Sequence, residues 1–220
     1  MTEALFADRT EAGHKLAWRL WGLIDEDSVV MAIPRGGVPV AAAAAGDLRL
    51  EWGVVVARKL PIPWSPEAGF GAVTADEAAV LNKAVLAELR MTTTQIDQVI
   101  RRVREEANRR SEIYRPARPM PEIEGRTVIV VDDGVASGYT ILAAMGAMRR
   151  RGALKVIAAA PVASQSTAAM VAREADAVAF ENVSSSVPFA VADAYITWRD
   201  LTDDDILPLM AQAARGNSTT

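Results

Sequence analysis

The run Val128-Ile129-Val130-Val131-Asp132-Asp133-Gly134-Val135-Ala136-Ser137-Gly138-Tyr139-Thr140 constrains this chain more than any other segment. Four consecutive β-branched apolar residues suit a strand covered on both faces, the situation of a central strand in a parallel sheet. The strand stops at two carboxylates. A loop of small residues follows, then a helix carrying Ile141, Leu142, Met145 and Met148 at helical spacing. Backbone can approach a ligand closely at Gly134, Ala136 and Gly138, and the loop N–H groups with the helix start form a cradle for a phosphate. Ser137 and Thr140 add hydroxyl donors. Carboxylates only accept when ionised, which suits the vicinal hydroxyls of a sugar. Diol and phosphate held a few ångströms apart outline a ribose 5-phosphate. The alternatives are an acidic strand end with a helix cap and no ligand, or a phospho-acceptor domain, which requires a distant lysine and a third acid.

Similar units recur along the chain, as expected for a parallel sheet with crossover helices. Strands are expected at Ser28–Ile33, Glu51–Ala57, Val128–Val131, Lys155–Ala160 and Ala177–Phe180. A small-residue helix, Val38–Ala45, should stop at Gly46. The helix after the central loop ends in Arg149-Arg150-Arg151-Gly152, cations and a glycine suited to a helix C-terminus. Leu60–Gly71, with three prolines and two glycines, reads as a long surface loop. Two helical segments follow. The second opens on a capping box, Thr92-Thr93-Thr94-Gln95, and carries Ile96, Val99, Ile100, Val103 and Ala107 on one face. Its opposite face bears Arg101, Arg102, Arg104, Glu105, Glu106, Arg109 and Arg110, either a solvated face or a basic surface for nucleic acid. Asp203-Asp204-Asp205 suits a helix N-terminus, His14 a surface helix position, and Arg215–Thr220 a frayed tail.

Composition narrows the function classes. A formal charge of −4, from 28 acidic and 24 basic residues, argues against a broadly cationic nucleic-acid binder. Without cysteine there is no disulfide, thiolate zinc site or thiol redox chemistry, and one histidine cannot build a polyhistidine site. The N-terminus shows no secretory pattern and no apolar run is long enough to span a bilayer, so a soluble cytoplasmic protein without membrane partners is expected.

The segment Val128–Thr140 resembles the ribosyl-phosphate loop of type I phosphoribosyltransferases, departing at Tyr139, where a small residue is more usual. Ile33-Pro34-Arg35-Gly36-Gly37, again at a strand-to-helix turn, resembles that family's pyrophosphate loop. This implies a cis peptide between Pro34 and Arg35. Arg58 and Lys59 end the second strand where the family's bases face pyrophosphate. The segment beyond, with Trp64, Glu67, Phe70 and Gly71, resembles the mobile loop that closes over substrates. Val187–Ile196, followed by Trp198 and Arg199, resembles the hood of hypoxanthine-type members, with Phe189 as the ring that stacks on an acceptor base, or else a core residue. Those enzymes carry an aspartate at the place of Ala136, so 6-oxopurine salvage is not favoured.

The resemblance covers nearly the whole chain. It extends to prokaryotic phosphoribosyltransferase-domain proteins of unassigned acceptor, through the Phe6…Asp8-Arg9 opening and the Arg58-Lys59-Leu60 run. It implies a Rossmann-like central parallel sheet with flanking helices. Residues 1–214 would form one domain, with a flexible loop and helical insertion over 60–122, a small hood over 181–200 and a tail over 215–220. The implied activity is transfer of a phosphoribosyl group from phosphoribosyl pyrophosphate (PRPP) to a nitrogenous small molecule, with Mg²⁺ as cofactor and a homodimer as the family expectation. Asp132, Asp133, Lys59 and Arg35 would act in catalysis. Arg35, Gly36, Gly37, Arg58, Lys59, Asp132, Asp133, Gly134, Ala136, Ser137, Gly138, Tyr139, Thr140 and Phe189 would bind substrates. Asp132 and Asp133 would meet Mg²⁺ directly or through water. A PRPP-sensing regulator that binds RNA or DNA, and a catalytically idle PRPP-binding protein, are the alternatives.

Overall fold

The computed structural model describes residues 4–75 and 79–215, and at its centre lies the strand read first from the sequence. Strand β6 (Thr127–Val131) is buried throughout and lies between β1 (Val29–Ala32) and β7 (Lys155–Ser164). With β2 (Glu51–Val54) beyond β1 and β8 (Ala177–Ser184) beyond β7, the order is β2-β1-β6-β7-β8, all parallel. Side chains alternate across this sheet. Val30, Ala32, Ile129, Val131, Ile157 and Ala159 enter a core with helices α1 (Arg9–Leu20), α2 (Gly37–Leu48) and α7 (Asp203–Arg215). Val29, Met31, Val128, Val130, Val156 and Ala158 enter a second core with α5 (Tyr139–Arg150) and α6 (Gln165–Ala172). Both faces are covered, so the strands are uninterrupted apolar runs rather than alternating ones.

Several expectations hold in detail. Gly152 takes φ 84°, the left-handed stop after α5. Helix α4 (Thr93–Tyr114) starts at the Thr92/Gln95 capping box, and α7 opens on three aspartates. His14 is an exposed residue of α1, 2.7 Å from Asp47. Helix α2, by contrast, runs through Gly46 to Leu48. Its left-handed cap is Arg49 (φ 57°), and the Leu50 N–H turns back to the Ala45 carbonyl at 3.0 Å as Leu50 enters the core.

The stretch expected as a surface loop is ordered structure. β3 (Ala57–Ile62), β4 (Ser65–Thr74) and β5 (Ala79–Leu81) form a separate antiparallel sheet, so the second parallel strand ends at Val54 rather than Ala57. Prolines and glycines suggested a loop, but Pro61 falls at an irregularity in the β3/β4 register, where proline is tolerated. Leu60, Ile62, Phe70 and Val73 are buried against Val99 and Val103 of α4. Phe70 is therefore a core anchor of the hairpin. Trp64, at the turn, is 62 % exposed. A short helix α3 (Lys83–Leu89) precedes α4.

The segment expected as the hood pairs with residues 5–7. Leu5 and Phe6 donate N–H groups to the Ala194 carbonyl, while Ile196 and Thr197 donate to Phe6 and Ala7. Among the described residues no helix is long and apolar enough to cross a membrane. The expected tail beyond Arg215 lies outside the described residues.

Candidate active site

The chain leaves β1 toward β2 on one side, while β6 pairs on the other. The C-terminal ends of β1 and β6 therefore flank the switch point at which open α/β sheets bind ligands. Both loops singled out from the sequence start there, Ile33–Gly37 after β1 and Asp132–Gly138 after β6. They touch. A methyl group added at Gly36 would lie 1.9 Å from the nearer Asp133 carboxyl oxygen, so only glycine allows this approach. Gly36→Ala is accordingly expected to push the loops apart and to weaken binding of PRPP by at least about tenfold. Calorimetric titration checks this, with circular dichroism as the control for folding.

The β6 loop is braced from behind by the overlong β7. Val135 donates to Val162 at 2.8 Å, Ser164 donates back to Val135 at 3.1 Å, and the Thr167 hydroxyl donates to the Ala136 carbonyl at 2.6 Å. Gly138 takes φ 78° immediately before α5, where a side chain would meet Met170 and Thr167. The N–H groups of Ala136, Ser137 and Gly138 have no partner among the described residues. With the unpaired first turn of α5, where Tyr139 and Thr140 lie, they form an anion cradle. Asp132 is half-buried. Loss of water, and then the neighbouring Asp133 carboxylate, push its carboxyl well above the usual carboxylate range.

In the other loop, the Pro34–Arg35 peptide is cis, as the resemblance implied. Arg35 reaches to 4.0 Å from Asp203 at the start of α7. Asp203 also accepts from Tyr114 at 2.6 Å and Arg110 at 3.2 Å, so α4 and α7 converge behind the loop. Burial pushes the Tyr114 hydroxyl up to about 12, with Asp203 adding to the shift. Arg58 lies 3.3 Å from Glu106 of α4. Burial lowers the pKa of Arg58, and repulsion from Arg110 and Arg35 adds to the effect. Lys59 donates to the Glu67 carbonyl at 2.5 Å, across the hairpin. Pro34, Arg58 and Lys59 line a cleft of about 540 Å³, to which α4 contributes Arg102. Phe189 is half-buried against the cluster of Phe6, Ala12, Val162, Ala194 and Tyr195, and with Ala136 it lines a second cleft of about 440 Å³. The expected residues thus fall into three neighbourhoods: the touching loops, the cationic cleft beside Pro34, and the cleft beside Phe189.

Arg9 was legible only as part of the Asp8-Arg9 opening. Its Nε donates to Asp133 at 2.8 Å, its guanidinium lies 3.9 Å from the Trp198 ring centroid, and it donates to the Arg199 carbonyl. Tyr195 donates to the Asp133 carbonyl. A signal for Arg9 existed in its position. A cation at the first residue of a helix opposes the helix dipole, so its partner had to lie elsewhere. Arg102, Arg110, Tyr114 and Asp203 carried no such signal, because their role depends on how α4 and α7 pack.

A parallel α/β sheet with these two loops at its switch point is the type I phosphoribosyltransferase class of fold. The family described as the phosphoribosyl transferase domain matches residues 72–194, more than half of the chain, and the chain belongs to that family. It is 38 % identical over 214 residues to a Mycobacterium tuberculosis H37Rv protein named "Putative phosphoribosyl transferase Rv0571c", and equally to its counterpart in strain CDC 1551. The match takes in 96 % of this chain but 47 % of the relative, so the chain spans about half the length of the curated relatives it matches. The crystal structure of TT1426 from Thermus thermophilus is 34 % identical, with a TM-score of 0.77 over 94 % of this chain and 98 % of that one.

Proposed function

We propose that this chain transfers the 5-phosphoribosyl group of PRPP to a nitrogenous small molecule and releases pyrophosphate. The observation that carries the reading is the contact between the two loops through Gly36 and Asp133, with an anion cradle on one side and a cationic cleft on the other. Ala136 to Thr140 take the 5′-phosphate, and Asp132 and Asp133 accept from the ribose hydroxyls. Arg35, Arg58, Lys59 and Arg102 face the pyrophosphate. The bond from the anomeric carbon to pyrophosphate oxygen breaks, and its electron pair leaves with pyrophosphate. The acceptor nitrogen's lone pair forms the new bond. Positive charge that develops on the sugar is favoured beside the two carboxylates, and charge that collects on pyrophosphate is favoured among the cations.

Asp132 and Asp133 are close carboxylates whose repulsion a cation relieves, and this suits Mg²⁺. Such an ion would be coordinated mainly by phosphate oxygens and water. When bound, Mg²⁺ would neutralise pyrophosphate as it departs.

Titration calorimetry with PRPP and Mg²⁺, and separately with ribose 5-phosphate and with pyrophosphate, tests the donor site. Mg²⁺-dependent micromolar binding of PRPP, with weaker binding of each half, is the expected result. A protein that binds none of the three does not have this function. A protein that binds PRPP, releases no pyrophosphate with any acceptor and binds nucleic acid in a salt-dependent way is instead a PRPP-sensing regulator.

A further inference from the structure

Two arginines are buried among the described residues, Arg9 at 8 % exposure and Arg118 at 7 %. Arg9 meets the Asp133 carboxylate. Arg118 meets no carboxylate. Its Nε donates to the Trp52 carbonyl at 2.8 Å, and its guanidinium lies 4.3 Å from the Trp52 ring centroid. Its two terminal nitrogens have no partner among the described residues. Glu51, an acid whose charge it feels, is itself held by Arg126 at 2.8 Å. A guanidinium stays charged at every pH at which a protein folds, and a buried charge without a counter-charge is strongly destabilising. We infer that Arg118 belongs to a second anion site, outside the active site, that takes a phosphate group, free or carried on a small molecule.

The surroundings of Arg118 supply the rest of such a site. It lines a cavity of about 340 Å³ between residues 54–56 at the end of β2, the end of β4 and the last turns of α4. Arg115 and Arg151 line the same cavity, and the one acid in its described wall is Glu112. Asn108 and Ser111 add an amide and a hydroxyl. Thr74, also in this wall, is buried and its hydroxyl has no partner. Stacking on Trp52 fixes the plane of the Arg118 guanidinium, and a planar fork matches two phosphate oxygens at once. Three such forks with neutral donors beside them outnumber the lone pairs of a single carboxylate, whereas a phosphate dianion can accept from all of them. The cavity is larger than a phosphate ion, which leaves room for the body of a small phosphate ester.

This cavity shares no lining residue with the cleft beside Pro34. Helix α4 lends Arg102 and Glu106 to that cleft, and Ser111 and Arg115 to this one. The inference therefore stands apart from the proposed transfer reaction and survives its failure. Asp76 and Glu77, which follow Ala75 of the cavity wall in sequence, lie outside the described residues, so the chain's own acids enter the test.

Nuclear magnetic resonance of the arginine Nε–H groups tests the site directly, with inorganic phosphate or glycerol 3-phosphate added at constant ionic strength. The Arg118 signal, identified by its absence in Arg118→Met, should shift saturably with a Kd below about 1 mM. Phosphate in the loop cradle would leave that signal in place. Tighter binding of glycerol 3-phosphate assigns the site to a phosphate ester, and inorganic phosphate binding at least as tightly assigns it to the free ion. Arg118→Met keeps aliphatic packing on Trp52 and should remove one phosphate-binding event from calorimetry. Should that variant fail to fold, Arg115→Gln/Arg151→Gln, altered at exposed positions, should weaken the same event at least about tenfold. An Arg118 signal that neither probe moves, or that sodium chloride moves equally, overturns the inference. So does a shift that appears only in Asp76→Asn/Glu77→Gln, since the counter-charge would then be the chain's own.

Discussion

Arg9→Met is expected to lower the melting temperature by about 6–12 °C and to abolish measurable PRPP binding. Arg9 and Asp133 are 9 % and 15 % exposed at their side chains, so their 2.8 Å pair is nearly out of water. Methionine keeps most of the aliphatic volume against Trp198 but leaves the Asp133 carboxylate without its cation. Breaking a buried pair from one side typically costs about 3 kcal/mol or more, which sets the size of the shift in a chain this long. The double variant Arg9→Met/Asp133→Asn removes both charges and should recover a good part of the stability without recovering binding. Thermal unfolding and calorimetry of the four proteins read both effects. A melting temperature for Arg9→Met within about 2 °C of the parent would show that Asp133 does not depend on Arg9.

Asp132→Asn should do the reverse to stability, raising the melting temperature by about 2–4 °C at neutral pH while weakening PRPP binding at least about tenfold. Burial, and then the Asp133 charge, disfavour the ionised form of Asp132. Asparagine keeps an oxygen able to accept the 2.9 Å bond from the Asp133 N–H, and it carries no charge. The pH dependence follows in sign. For a carboxyl whose folded pKa is raised, the penalty is complete above that pKa and is relieved as pH falls through it toward the unfolded value. The advantage of Asp132→Asn should therefore be largest on the alkaline side and shrink with acidification. An advantage that is flat with pH, or a destabilised variant, would mean that Asp132 is not under this strain. The opposed movements of stability and binding are what a site that concentrates like charge for a ligand should show.

Much of the candidate site was legible because it lies at strand ends. A buried parallel strand shows itself as a run of β-branched residues, and where the run stops the next few residues must be the C-terminal loop. Asp132 and Asp133, and Pro34 to Gly37, could therefore be placed at the ligand edge without coordinates. The hairpin β3–β4 was not legible, since Pro61, Pro63, Pro66 and Gly69 carry a loop's composition. Its strand character comes from Leu60, Ile62 and Phe70 finding Val99 and Val103 of a helix some 30 residues further on. The arginine face of α4 divided in a way the sequence left open. Arg102 lines the cationic cleft, Glu106 meets Arg58, and Arg110 meets Asp203, so part of that face borders the candidate site.

By itself the sequence determined the strands of the parallel sheet and the placing of the two candidate loops after β1 and β6, because these depend on local pattern and on the short range of a turn. Only the tertiary structure decided that Arg9 holds Asp133, that residues 5–7 pair with residues 194–197, and that one cleft is cationic while another is uncharged. Those facts join positions far apart in the chain. A burial pattern records that a side chain leaves water, and the packing of distant elements selects the partner it meets there.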